Sequence, residues 1–134
     1  NAYRTTFEYI LNADLIDCFQ ADRINIKSLE RILGEIDKWN MKLEDPSTIS
    51  RMGGDAILRD LKWIATEKDT LKRLQRLNRI FPLLKKFRLS PELSRSQNVY
   101  FEISLQQKES KSPIEKEWME QFSLLGDNLG VKVE

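Results

Sequence analysis

Residues 25–43, NIKSLERILGEIDKWNMKL, carry the pattern that decides the fold. Apolar side chains recur in this stretch at steps of three and four residues, which is the spacing of one stripe along an α-helix. The stripe consists of Leu29, Ile32, Leu33, Ile36, Trp39 and Leu43. Asn25 precedes it as a predicted N-cap, because a short amide side chain can accept the free backbone N–H groups of the first turn. The stretch therefore predicts an amphipathic helix.

A capping residue followed directly by proline predicts the starts of three further helices. Proline fits the first turn of a helix because its missing N–H costs nothing there. Asp45-Pro46 predicts the start of a long helix. Ser90-Pro91 and Ser112-Pro113 repeat the signature and predict the starts of the last two helices. Gly126 is the predicted C-terminal cap of the last one.

Other positions predict irregularities in the helices. Gly53-Gly54 lies inside an apolar helical stripe and predicts a kink or a close helix contact. Pro82 should end or bend the helix that contains Leu77 and Phe81, with a short helix following it. At the N-terminus the apolar stripe drifts around the helix, and two short helices broken near Asn12 or Asp14 would explain the drift.

These segments together predict an all-α fold, a compact bundle of five to seven short-to-medium helices. The strand-like stretches, residues 99–105 and 131–133, are too irregular or too short to found a sheet. With 40% hydrophobic and 32% charged residues, the 134-residue chain has an ordinary globular composition. We expect residues 1–134 to form a single helical domain, and a fragment of a larger multidomain protein, since the amphipathic pattern begins at once at Asn1.

The residue inventory excludes several kinds of site. The chain has no histidine and one cysteine, Cys18, so it cannot assemble a Ser-His-Asp or Cys-His site or a structural zinc site. Asp14 and Asp17 share a helical face, but acidic pairs of this spacing are common on solvated helices. Gly53-Gly54 lacks the surroundings of a phosphate loop. We therefore expect no catalytic residues, cofactor or metal in this chain.

The composition also bears on location. No run of about 18 apolar residues could span a membrane, and no signal peptide is visible. A lone Cys18 in an apolar pattern is typical of a small core residue in a reducing compartment. These features predict a soluble, cytoplasmic protein.

Charge is unevenly distributed along the chain, although the net charge is only +1. Residues 70–91 contain seven lysines and arginines and no acidic residue, and Lys72, Arg76 and Arg79 form one stripe opposite the apolar face. This basic stripe could contact nucleic acid, yet the near-neutral total and the lack of interleaved aromatic residues argue against it. A solvated face, or one that contacts an acidic neighbouring domain, is the preferred interpretation.

The remaining candidate contacts are apolar. Trp118 lies at the centre of its stripe and is predicted in the core. Trp39 and Trp63 lie at the edges of theirs, where an indole ring can pack at the core margin or face a partner or a sugar ring. Leu58 is predicted on a polar face, where it would fit a contact with a missing neighbour.

The C-terminal part of the chain resembles a known family. Residues 89–101, LSPELSRSQNVYF, Trp118, Phe122 and the ending 125–131, LGDNLGV, resemble the helical C-terminal extension of large bacterial proteins of glycoside hydrolase family 57. The Gln-Asn-x-Tyr-Phe stretch and the Trp-x-x-x-Phe spacing carry most of the likeness, and residues 26–43 fit more loosely. The resemblance implies a parent enzyme that acts on α-glucans, with the catalytic domain elsewhere in the parent chain. It assigns no role to Gln97 or Asn98.

Three functions follow from these observations. The preferred one is a non-catalytic accessory domain that packs against the catalytic domain of the same carbohydrate-active parent. The first alternative is a carbohydrate-binding module that uses the edge tryptophans to contact α-glucan. The second is a helical module that binds protein or nucleic acid through the basic stripe.

Overall fold

The computed structural model describes residues 2–110 and 112–131, and all regular structure in these ranges is α-helical. The six helices are α1 (Ala2–Gln20), α2 (Ile26–Lys38), α3 (Pro46–Thr66), α4 (Leu71–Lys86), α5 (Ser94–Glu109) and α6 (Lys116–Leu129). The predicted all-α bundle of five to seven helices is thus confirmed. The strand-like stretch 99–105 lies within α5. Asn1, Lys132 and Val133, which entered the predictions, lie outside the described residues.

Helix α3 occupies the middle of the bundle, where it packs against α1, α4 and α5. Helix α4 also contacts α2 and α6, and α1 contacts α2. One apolar core runs between these helices and includes side chains from all six of them. Because α5 packs mainly on α3 while α6 packs mainly on α4, these two last helices are positioned by different neighbours.

Two of the predicted helix starts are confirmed by their capping bonds. The side chain of Asn25 accepts the backbone N–H of Ser28 at 3.1 Å. Asp45 accepts the backbone N–H of Thr48 at 3.2 Å and its hydroxyl at 2.6 Å, and these bonds lower the pKa of the Asp45 carboxyl. Helix α2 ends earlier than its stripe suggested, since Lys38 is its last residue. Leu43 lies in the following loop but still packs against the core.

The prediction of a broken N-terminal helix is wrong, because α1 is continuous through Asn12. The Asn12 side chain is buried and forms three hydrogen bonds, donating to the carbonyls of Glu8 and Lys42 and accepting the N–H of Glu44. With these bonds satisfied, a polar residue can lie inside the packed face of an uninterrupted helix. The drift of the apolar stripe has another origin, which is that the first half of α1 leaves apolar residues exposed.

The last two helices begin later than the Ser-Pro signatures predicted. Helix α5 starts at Ser94, whose N–H donates to the Glu92 carboxylate at 2.7 Å, and α6 starts at Lys116. Residues 91–93 instead form an irregular segment beside α3, where Pro91 and Glu92 approach Gly54 closely. Local capping signals did not identify this crossing, because it depends on the neighbouring helix.

The predicted C-cap at Gly126 is also wrong. Gly130 ends α6, in a left-handed conformation with φ 75°. Gly126 lies inside α6 because the helix passes very close to α5: a Cβ atom at this position would be 2.5 Å from the Tyr100 hydroxyl oxygen. Its lack of a side chain serves packing and not helix termination.

The structure at Gly53-Gly54 and at Pro82 can be compared with the irregularities predicted there. Gly53-Gly54 marks a close contact, as expected, but α3 continues through it: Gly53 faces Leu84 and Phe19, and Gly54 faces the backbone of Glu92. Pro82 does not end α4, which continues to Lys86. Burial of Leu84 in this last turn, worth roughly 1.5–3 kcal/mol, offsets the cost of an internal proline, roughly 3 kcal/mol.

Candidate partner-binding surfaces

Leu58 is not an exposed contact residue. It is 7% exposed, so the prediction that it points to an open polar face is wrong. Helix α5 lies on this side of α3, as shown by the ion pair between Arg95 and Asp55 at 3.1 Å. The side of a helix that a neighbour covers cannot be read from that helix alone, and for this reason the sequence misplaced Leu58.

Trp63 packs at the core margin, and the chain itself occupies one face of its indole. The Arg73 guanidinium lies 4.5 Å from the ring centroid, in a cation–π contact. Arg73 is buried, so it cannot simply move aside. This arrangement agrees with the packing interpretation and leaves Trp63 a poor platform for a sugar ring.

Trp39 is the more accessible edge tryptophan, with 47% of its surface exposed. It caps the end of α2, and its indole N–H donates to the Glu35 carboxylate at 2.8 Å. The ammonium group of Lys38 lies 5.1 Å from the ring centroid. About half of the Trp39 surface is therefore accessible to a partner, and the contacts with Glu35 and Lys38 fix the orientation of the ring.

The basic stripe is partly neutralised by α2. Arg79 forms an ion pair with Glu30 at 2.6 Å, and Lys86 lies 4.0 Å from Asp37. Lys72 is exposed, whereas Arg76 is partly buried. Both ion pairs are exposed and contribute little stability, but they reduce the positive charge available to a polyanion. The three residues Lys72, Arg76 and Arg79 are thus on α4 as predicted, in three different environments.

The residues that carry the family resemblance join α5 to α6. The Gln97 side-chain amide donates to the Leu129 carbonyl at 2.7 Å, and the Tyr100 hydroxyl donates to the Phe122 carbonyl at 2.9 Å. The Tyr100 and Phe122 rings stack with centroids 4.2 Å apart, and Trp118 also stacks with Phe122, at 4.8 Å. Trp118 also packs against the core, in agreement with its prediction. Asn98 is exposed.

Beside this junction lies a groove, the α5–α6 groove, of about 400 Å³, which Tyr100 and Phe122 also line. Its floor is apolar and includes Phe122, Ile114 and Met119, while its rim is polar and carries Lys108 and Asp127 on opposite helices. Phe101 and Leu105 add exposed apolar surface on α5, 49% and 58% exposed respectively. Sequence reasoning missed this surface. The signal was the four-residue spacing of Phe101 and Leu105, one position away from the buried side of α5.

A second exposed apolar surface lies on the first half of α1. Tyr3, Phe7, Tyr9 and Ile10 are exposed there, Tyr3 by 89%. The opposite, polar side of this half-helix contacts the loop after α2: Arg4 donates to the carbonyls of Trp39 and Asn40, each at 2.9 Å. This surface is convex, since it lies on a single helix, whereas the α5–α6 groove is concave.

The described residues contain no cluster of histidine, cysteine or acidic side chains that could hold a metal ion. Asp14 and Asp17 lie along a shallow groove together with Arg23 and Arg31. Burial raises the pKa of the Cys18 thiol, which makes it less reactive than an exposed cysteine.

Comparison with known proteins adds no relative: no family model, curated protein or solved structure matches this chain. Among the described helices, none is both long enough and apolar enough to cross a membrane.

Proposed function

We propose that this chain is a non-catalytic helical accessory domain of a larger cytoplasmic, carbohydrate-active protein related to α-glucan hydrolases, and that it packs against the catalytic domain through the α5–α6 groove. The observation that carries the proposal is the concave apolar groove between α5 and α6, which includes the exposed Met119, together with the exposed Phe101 and Leu105 on α5 outside the groove lining. Contiguous apolar surface of this kind is typical of protein contact sites.

The shape and chemistry of the groove favour a protein partner. Hot spots of protein interfaces are apolar or aromatic anchors that fill desolvated pockets, surrounded by a polar rim. The α5–α6 groove offers an apolar floor and the charged rim residues Lys108 and Asp127. A protruding apolar side chain of the catalytic domain would fill it, while the two rim charges would set the orientation.

The carbohydrate-active context rests on the family resemblance. Gln97, Tyr100, Trp118 and Phe122, which carry the likeness, build the junction beneath the groove. Phe101 belongs to the same stretch but points outward, with half of its surface exposed. The shared residues would therefore preserve the platform on which the partner domain sits.

The test compares the full-length product of the gene with residues 1–134 alone by hydroxyl-radical footprinting, which labels exposed Phe and Met side chains. We expect labelling of Phe101 and Met119 to fall several-fold in the longer protein, while Tyr3 on α1 serves as the internal control. The longer protein should also hydrolyse an α-glucan. Equal labelling of Phe101 and Met119 in both proteins would contradict docking through this groove.

A carbohydrate-binding module remains the second candidate, and the half-exposed Trp39 favours it. Its test is calorimetric titration of residues 1–134 with a maltooligosaccharide, repeated with Trp39→Ala and with Trp63→Ala as the matched control. Binding that is lost only in Trp39→Ala would support the module. No heat at millimolar sugar would exclude it.

A further inference from the structure

A cavity of about 620 Å³ lies where α4 ends, and we call it the α4-end cavity. Its apolar lining comes from Phe81 and Pro82 on α4 and from Pro91 and Leu93 in the segment that leads to α5. Pro82 is exposed, and the other three residues are partly buried. The last turns of α6 also line the cavity, so three parts of the fold surround it. A bound group would therefore meet apolar surface from more than one element.

Two basic side chains, Lys85 and Arg88, line the same cavity. Both residues are exposed, and neither side chain forms a hydrogen bond or an ion pair with a residue that the structure describes. Their neighbour Lys86 differs, because its ammonium group lies 4.0 Å from the Asp37 carboxylate of α2. The cavity thus combines apolar surface with two positive charges that the described part of the chain leaves unpaired.

One acidic residue, Asp127 of α6, also lines the α4-end cavity. It forms no ion pair with Lys85 or Arg88 in the described structure, so direct contact does not neutralise them. Asp127 lines the α5–α6 groove as well and therefore lies on α6 between the two surfaces. Because like charges repel, Asp127 would direct the carboxylate of a bound group toward the basic residues of the α4 end.

The backbone of Arg88 suggests that its side chain has a use. Helices α2, α4 and α6 end in the same turn, in which one residue adopts a left-handed conformation; these residues are Asn40, Arg88 and Gly130, with φ of 52°, 56° and 75°. In each turn the N–H of this residue donates to the carbonyl three positions back, and the next N–H donates to the carbonyl five positions back. Glycine and asparagine suit this conformation, whereas the Cβ of other residues makes it unfavourable.

The helix dipole does not by itself account for an arginine at this position. Cations near the C-terminal end of a helix are favourable, but Lys85 and Lys86 already supply two in the last turn of α4. Arg88 follows the helix, in a turn where glycine would fit with less strain. A partner that binds its guanidinium group would explain why a long basic side chain stands there.

We infer that the α4-end cavity is a docking site for an acidic segment of a partner protein. An apolar side chain of the segment packs on Phe81, Pro82 and Leu93, and an adjacent carboxylate binds Lys85 and Arg88. Charge complementarity identifies this partner, because residues 70–91 contain seven basic residues and no acidic one. A guanidinium group binds carboxylate in a bidentate manner, and apolar anchors beside charged groups are typical of protein contact sites. The cavity is separate from the α5–α6 groove and can be occupied whether or not that groove is.

The test is an NMR titration of isotope-labelled residues 1–134 with two short peptides, acetyl-Leu-Glu-Leu-amide and acetyl-Leu-Gln-Leu-amide. The two peptides have nearly the same shape, and only the first carries a carboxylate. We expect saturable shifts of the backbone amides of Leu89 and Leu93, with about tenfold weaker binding of the neutral peptide. Equal binding of the two peptides, or no shift at these amides with either, would overturn the inference.

The variants Lys85→Gln and Arg88→Gly should each weaken binding of the acidic peptide by about tenfold, the effect of losing one charge-assisted contact. Binding of the neutral peptide should change little. The matched control is Lys72→Gln, which removes an exposed positive charge from the same helix but outside the cavity lining. Equal weakening by Lys72→Gln would mean general attraction between charges and would overturn the site.

Thermal unfolding of Arg88→Gly separates binding from a structural role. Without peptide this variant should unfold at the same temperature as the parent chain or higher, because glycine adopts the left-handed conformation without a steric cost. Loss of binding with Tm maintained would support a contact made by the Arg88 side chain. A clear fall in Tm would assign that side chain a structural role and would overturn the inference.

A free organic acid distinguishes a peptide segment from a small ligand. The anion 4-methylpentanoate carries the leucine side chain and a carboxylate but no peptide groups. We expect it to bind more weakly than the acidic peptide, because it offers a single apolar group. Binding as tight as that of the peptide, with the same dependence on Lys85 and Arg88, would overturn the docking of a protein segment in favour of a small organic acid.

Discussion

The α3–α4 junction and the α5–α6 junction both contain polar contacts between the helices. They differ in the kind of contact and in the open groove with an apolar floor that lies beside the α5–α6 junction. At the first, the ion pair between Asp60 and Arg73 is buried, and Arg73 packs against the Trp63 ring. At the second, stacked rings and two hydrogen bonds join the helices, and a groove lies beside them. Since different neighbours position α5 and α6, their own contact does not need to be complete, and part of their apolar surface remains for a partner.

The largest effect on the free energy of unfolding is expected at the α3–α4 junction. Asp60→Ala leaves Arg73 buried without its carboxylate, which should lower the free energy of unfolding by about 3–5 kcal/mol. The double variant Asp60→Leu with Arg73→Met should recover much of this loss, because it removes both charges. Urea unfolding monitored by circular dichroism would measure both. If Asp60→Ala were as stable as the parent chain, the ion pair would not stabilise this junction.

A smaller but specific effect is expected where α6 crosses α5. Gly126→Ala places a Cβ 2.5 Å from the Tyr100 hydroxyl oxygen, and the resulting shift should cost about 1–3 kcal/mol. Gly34→Ala is the matched control, because a Cβ there meets nothing within 4 Å in an exposed helix interior. It should stabilise the protein by about 0.5–1 kcal/mol. Effects of the same sign in thermal unfolding would contradict the close crossing.

The hydrogen bond between Gln97 and Leu129 in the α5–α6 junction should contribute less. Gln97→Ala removes the bond to the Leu129 carbonyl and should cost about 1 kcal/mol. Asn98→Ala, next to it on the exposed side of α5, should have no measurable effect on chemical denaturation. Equal losses in the two variants would mean that Gln97 has no special place in the junction.

The exposed apolar surface of α5 outside the groove lining should matter least for stability. Phe101→Ser removes exposed apolar surface and should change the free energy of unfolding by less than about 0.5 kcal/mol. The same substitution in the full-length protein should loosen docking, measured as increased footprinting of Met119. Destabilisation of the isolated chain comparable to that of Gly126→Ala would show that Phe101 belongs to the core.

The two glycines Gly126 and Gly130 show which features of the α5–α6 junction the sequence could predict. Gly126 and Gly130 are both plausible helix ends by residue type, and only the position of Tyr100 on the neighbouring helix assigns Gly126 to packing and Gly130 to the cap. Trp118, at the centre of a strong stripe, was predicted correctly. The groove was missed, because it depends on the angle between two helices and not on the pattern within either of them.

The helical class, the N-caps at Asn25 and Asp45 and the absence of histidine-based chemistry could be predicted from the sequence alone, because periodicity, capping and composition act within a few residues. Tertiary structure decided the burial of Leu58, the continuity of α1 and of α4 through Pro82, and the late starts of α5 and α6. It also decided which arginines of the basic stripe have partners. These features depend on what lies across from a residue, and burial and pairing energies between helices outweigh local preferences of about 1–3 kcal/mol.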